Sequence, residues 1–276
     1  MYAHKVIDDI GKYLKIPNID KKYLLMNKAM VELAEKFHLP DFDRIDISKQ
    51  HEDIERSDDL LHFSPPYDLC WFDYESITGK ETKEHQMRSS KRGVIVLRNS
   101  DFLLFRVFYY LDEMRGWTPP GIEYILNLES KGYSHRSIDI AGTSFDKKAL
   151  KTTSIEDMGD VCHVLQAMSI LNCKNITTED NLPPKKLNKK RKKNGKQEIF
   201  TYKTLIIKPT KKQKKSGLND SQDLWDNRVH MCRGHFKEFT KEKPLFGRFT
   251  GRYWWEPQVR GDKTKGVVMK DYEVKI

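Results

Sequence analysis

Apolar residues near the start of the chain recur at about the 3.6-residue period of a helix. Leu24, Leu25, Ala29, Val31, Leu33, Ala34 and Phe37 predict a packing helix over residues 21–39, ended by Pro40. Residues 41–63 lose the pattern and carry Asp41, Asp43, Asp46, Glu52, Asp53, Glu55, Asp58 and Asp59, as in a solvated connection with room for a short helix. After Pro65-Pro66 the chain becomes rich in aromatic and β-branched residues. Strands are predicted at 68–74, 93–98 and 102–111, the last two joined as a hairpin through Asn99-Ser100-Asp101. Gly116-Trp-Thr-Pro-Pro-Gly121 reads as a turn, and 123–128 as a further strand. A helix follows with Ser154 as N-cap, Asp157 three residues on, and Val161, Leu165, Met168 and Leu171 on one face. A short basic helix is predicted from Pro183-Pro184, stopped by Gly195, then a strand over 199–207 and a basic loop over 208–221. The expected fold class is α+β: N-terminal helices, a mixed and mostly antiparallel sheet, and C-terminal antiparallel strands. The regions read as 1–63 (helical and acidic), 64–182 (α+β body) and 183–276 (basic module).

Charge sharpens this division. The 276 residues carry a net charge of +10, yet residues 185–215 hold fourteen Lys/Arg against Glu198, giving +13, so the rest of the chain sums to −3. Such asymmetry draws a chain toward a polyanion, with salt-sensitive affinity. The mean hydropathy of −0.72 is low, but 30 aromatic residues are enough to build a core. No run approaches the ~20 apolar residues of a membrane span, and no signal peptide opens the chain, so a cytoplasmic protein is expected. Cys70, Cys162, Cys173 and Cys232 are widely spaced and read as reduced thiols.

The candidate chemistry concentrates near the C-terminus. Arg228-Val-His-Met-Cys-Arg-Gly-His-Phe236 is followed by seven aromatics from Phe236 to Trp255, interleaved with Lys243, Arg248, Arg252 and Arg260. Cations among rings suit phosphate contact with base stacking. Strand alternation places Arg248, Thr250, Arg252 and Trp254 on a ligand side, opposite Phe249, Gly251, Tyr253 and Trp255. The expected nucleic-acid contacts are Lys185, Lys186, Lys189, Lys190, Arg191, Lys192 and Lys193 with Lys243, Arg248, Arg252, Trp254 and Arg260. His230, Cys232 and His235 have poor spacing for zinc, because alternation separates His235 from the other two, and no metal or other cofactor is expected.

The ordered pieces Leu182-Pro-Pro-Lys-Lys-Leu, Tyr202-Lys-Thr-Leu205, Arg233-Gly-His-Phe236, Leu245-Phe-Gly247, Trp254-Trp255 and Val259-Arg-Gly261 resemble an uncharacterised family of bacteriophage and prophage proteins over about residues 160–276. Residues 1–150 match loosely, around Asp68-Leu-Cys-Trp-Phe-Asp-Tyr74. The resemblance implies a phage setting in a bacterial host and no activity.

These readings converge on a nucleic-acid-binding protein, RNA slightly ahead of DNA. A host-directed interaction factor, inhibiting a bacterial defence or transcription component, is the alternative. A metal-independent ribonuclease using His235 with Arg233 and Arg248 is the second, since those residue types can move a proton and stabilise a charged phosphorane. No P-loop, dinucleotide fingerprint, Ser-His-Asp arrangement, EF-hand, HExxH or internal repeat is present.

Overall fold

A computed structural model describes residues 1–39, 64–75, 91–112, 114–130, 132–138, 147–207, 228–232, 235–255, 258–260 and 262–267, with backbone only at 147–157, 207, 228–235 and 258–267. It is an α+β protein. Contacts divide the chain into two compact units, Met1–Asn172 with Thr177–Ile206, and Cys173–Ile176 with Ile207–Ile276. These limits differ from the three regions expected from charge. The N-terminal helices belong to the sheet's own unit, and so does the most basic stretch of the chain.

The first unit is built on a nine-stranded sheet, ordered β7-β6-β4-β3-β2-β1-β9-β8, with β5 paired to β4. The predicted hairpin is there: β3 (Lys91–Arg98) and β4 (Phe102–Leu111) pair antiparallel, Arg98 opposite Leu103. Strands β2 (Leu69–Glu75), β5 (Gly116–Thr118), β6 (Ile122–Asn127) and β7 (Tyr133–Ser137) extend the antiparallel part. The strand β9 (Tyr202–Ile207) begins later than read, and β8 (Ile176–Asn181) closes the edge.

Two readings change type: Gly116–Thr118, read as part of a turn, form the strand β5, and the end of the first predicted helix becomes a strand. The helix expected over 21–39 is α2 (Lys21–Leu33); Ala34 turns extended with ψ 145°, and Glu35–His38 form β1, parallel to both β2 and β9. Pairing with strands distant in sequence decides this segment, and helical periodicity carries no trace of such partners. Helix α1 (Ala3–Tyr13) precedes it, and α3 (Lys147–Leu171) starts ahead of Ser154, which lies inside the helix.

Each face of the sheet buries its own helices. Ala3, Val6, Ile7 and Ile10 of α1 and Leu24 and Val31 of α2 pack with Trp71, Ile95, Phe108 and Trp117. On the other face Val161, Val164, Leu165, Ala167 and Met168 of α3 pack with Phe72, Val94, Phe105 and Tyr124. A fully buried large side chain of this kind contributes roughly 1.5–3 kcal/mol. Gly93 makes room for this packing, because a Cβ there would come within 2.3 Å of the Trp71 ring. No helix among the described residues is long and apolar enough to cross a membrane.

Candidate nucleic-acid interface

The stretch Lys185–Lys193 forms α4, entered through Pro184, whose fixed φ suits a helix start. It ends in a Schellman arrangement: Gly195 has φ +64°, its N–H bonds Lys192 O at 3.1 Å, and Lys196 N–H bonds Arg191 O at 3.0 Å. Three residues hold the helix to the body. Arg191 donates to Asp8 of α1 at 2.5 Å and to Gln197 O at 2.6 Å, while Gln197 N–H bonds the second Asp8 oxygen at 2.8 Å. Asn188 pairs with the Ile199 backbone in both directions, at 2.9 and 2.7 Å.

At roughly 100° per residue, Leu187, Asn188 and Arg191 share one side of α4, and Lys185, Lys186, Lys189, Lys190, Lys192 and Lys193 cover an arc of about 160° on the other. All six lysines are exposed, and among the described residues no ion pair includes any of them. Lysines three and four apart repel, by about 0.2–0.5 kcal/mol per pair, and Lys185 and Lys186 oppose the positive end of the helix dipole. The helix thus presents a positive half-cylinder on a fixed mount. Arg191, expected among the contacts, is turned inward as the anchor.

The second unit carries the Arg and aromatic residues. Strand β10 (Arg228–Cys232) lies between β13 (Gln258–Arg260) and β14 (Asp262–Val267), while β11 (His235–Phe239) and β12 (Gly251–Trp255) form a separate two-stranded sheet. The expected ligand face is corrected here. β12 begins at Gly251, so Arg248 and Thr250 precede the strand instead of sharing its face. Trp254 is buried: its ring lies 4.7 Å from that of Phe236, and its backbone N–H and carbonyl are both bonded by Asn175, at 3.0 and 2.9 Å. A ring enclosed in this way cannot stack on a base. Arg252 is half-buried with its guanidinium 4.3 Å from the Phe236 ring centre. On the opposite face Phe239, Tyr253 and Trp255 pack together, with Lys237 5.1 Å over Trp255.

Lys243 and Arg248 are exposed. Arg248 belongs to a tight hairpin tip in which Leu245 and Phe249 exchange backbone hydrogen bonds of 2.7 and 3.0 Å, and Arg248 N–H bonds Leu245 O. Phe246 and Gly247 at its centre have φ +54° and +75°. Left-handed backbone costs a non-glycine residue about 1–2 kcal/mol. Arg233 lies outside the described residues, as do the side chains of His235 and Arg260; β13 places Arg260 opposite His230. Of the ribonuclease trio, only Arg248 has a described side chain.

A polar cluster absent from the sequence-based expectations sits where the parallel strands β1 and β2 end. Asp73, fully buried, accepts from His38 Nδ1 at 2.6 Å, Tyr2 N–H at 2.5 Å, Trp71 Nε1 at 3.1 Å and the Tyr202 hydroxyl. Burial alone would raise its pKa, but the His38 hydrogen bond and neighbouring positive charge outweigh it and hold the carboxyl below its ordinary value. The carboxylate fixes His38 in one orientation and tautomer, as a base and its orienting group are arranged. Glu75 takes the hydroxyl of Tyr2. The nearby Lys36 amine, pushed down to about 8 by burial, is tied to the Glu32 and Ala34 carbonyls. Among the described residues no three His, Cys, Asp or Glu side chains gather as metal ligands. No family model, curated protein or solved structure matches the chain.

Proposed function

We propose that the protein binds nucleic acid through its phosphate backbone, with α4 as the principal contact element. The observation that carries this reading is the mounting of the helix: Arg191 and Asn188 lock one side to Asp8 and Ile199, and among the described residues the six lysines of the other side meet no carboxylate. A solvated charge run has no need of such an anchor. A docked one sets the lysines in a fixed pattern, so that binding a polyanion relieves their mutual repulsion and releases counterions.

The test is the salt dependence of binding to labelled RNA and DNA. Wild type should bind both, with log affinity falling linearly in log salt. Replacing Lys189, Lys190, Lys192 and Lys193 by Gln should flatten the slope by about 3–4, near 0.9 per lost phosphate contact on a duplex and somewhat less on a single strand. An unchanged slope would remove α4 from the interface. A wild type without salt-sensitive binding, after removal of co-purifying nucleic acid, would end the reading altogether and leave a protein partner as the next target.

A further inference from the structure

Among the described aromatic residues of its unit, Phe246 alone is exposed. Ring contacts occupy Phe236, Phe239, Tyr253, Trp254 and Trp255. Among the described residues none occupies Phe246, whose residue surface is 44% exposed while its neighbour Leu245 is buried. Its backbone is unusual as well. Two successive residues with positive φ, closed by the Arg248 N–H to Leu245 O hydrogen bond of 3.2 Å, make the turn type that favours Asn-Gly at its centre. Here Phe stands in the Asn position. A bulky residue there is an outlier, and residues held in such conformations concentrate at ligand-binding sites. Other exposed large apolar residues, such as Leu33 and Leu182, have ordinary backbone and need no such explanation.

The surroundings indicate what such a ring meets. Lys241, Lys243 and Arg248 are exposed about the tip with Glu242 as the one acidic residue between positions 239 and 251, and the Arg248 guanidinium lies 4.4 Å from the Phe249 ring centre. One protruding ring among cations is too small for a protein interface core. It does match a nucleotide, which offers a flat π-face beside a phosphate.

We propose that Phe246 is a stacking platform for an unpaired base, which makes the ligand of this unit single-stranded nucleic acid. The inference rests on the nucleic-acid reading above and narrows it. In a duplex the base faces are stacked on one another and closed to the ring, so Phe246 discriminates by strandedness and not by sequence. Lys243 and Arg248 take the flanking phosphates. The platform is uncharged, so its contribution is independent of salt, unlike that of α4.

The experiment compares a mixed-sequence single strand of about 12 nucleotides, within the usual site sizes of ~4–16, with its own duplex, by fluorescence anisotropy over a salt series. Phe246→Ala and Phe246→Gly should weaken single-strand binding by roughly 5–150-fold, the equivalent of about 1–3 kcal/mol per stacked base, at an unchanged salt slope. Duplex affinity should stay at the wild-type value, and Phe246→Trp should keep or strengthen single-strand binding. Phe246→Gly should at the same time raise Tm, because glycine takes positive φ without penalty; a ring kept for packing would lower it. Wild-type single-strand affinity in Phe246→Ala, or an equal loss on duplex, overturns the inference while salt-sensitive binding by the lysine helix still stands. Absence of binding by the wild type removes both.

Discussion

Among the described residues, each buried acid of the central sheet and its helices faces donors from more than one element, whereas α4 sets six lysines toward solvent and has a carboxylate only for its anchoring arginine. Asp73 takes donors from β1, β2 and the segment entering α1. Asp160 of α3 accepts from Tyr74 at 2.6 Å, Tyr109 at 3.1 Å and Arg92 at 3.2 Å. Glu123 is held between Arg106 and Arg136. Asp73 and Tyr74 are adjacent on β2 and point to opposite faces, so one strand fixes a helix layer on each side through a buried carboxylate. Charge in the interior is matched and serves the architecture. On α4 it is in excess and faces solvent. Since an isolated buried charge costs several kcal/mol, the two settings should respond very differently to the same kind of change.

The largest effect is expected at Asp73. Asp73→Ala strands the Trp71 indole N–H and the Tyr2 backbone N–H in a buried site and leaves the half-buried His38 imidazole without its partner, and should destabilise by about 3–5 kcal/mol. Urea unfolding at pH 7.5 measures it, with Lys189→Ala as the exposed control expected within about 0.5 kcal/mol. A loss at Asp73 no larger than the control's would break the contrast.

How far this contrast was legible in the sequence differs between its two sides. The basic helix could be read directly, because its signals are local: Pro184 at the start, Gly195 at the stop, lysines between. Strand β4 was legible for the same reason, with a turn at Asn99-Ser100-Asp101 leading into ten strand-forming residues. The Asp73 cluster was not. His38 and Asp73 are 35 positions apart and meet only because β1, read as the end of a helix, pairs parallel with β2. Tyr202 arrives from farther still on β9. In the second unit, alternation separated the two faces of β12 correctly but could not tell which was covered, since Asn175 and Phe236 enclose Trp254 from other parts of the chain. Phe246 was concealed differently, by a turn built with a residue that turn chemistry disfavours.

A pH series sharpens the comparison next. His4 of α1 and His163 of α3 are both held down to about 4, His4 by burial and then by the positive charges of Arg191 and Lys5, with Asp8 opposing; His163 by burial, with Asp160 opposing. A folded pKa below the unfolded value near 6.5 means that the unfolded chain binds more protons between pH 6.5 and 4. Stability is therefore complete above pH 6.5 and falls as the pH drops toward 4. Between pH 7.5 and 5.0 the loss should be about 2 kcal/mol for each histidine, seen as a lower urea midpoint at constant m-value. Equal midpoints at the two pH values would mean that neither ring is held neutral.

The smallest effect tests where the two settings touch. Among the described residues Arg191 is the one cation of α4 paired as the interior pairs its charges, sharing Asp8 with the Gln197 N–H. Arg191→Ala should cost about 1–2 kcal/mol, the scale of a charged hydrogen bond, and Asp8→Asn a similar amount. Both changes act on one contact, so the double variant should lose little more than either alone, a coupling that a double-mutant cycle measures. The consequence for binding separates an anchor from a contact. A phosphate-contacting arginine would flatten the salt slope by about 0.9 when removed, whichever way Asp8 is changed. An anchor makes Asp8→Asn weaken nucleic-acid binding too, although that change removes a negative charge and should by electrostatics alone favour a polyanion. Weaker binding by Asp8→Asn, with all six lysines intact, would show that the lysines act through their mounting as well as their charge.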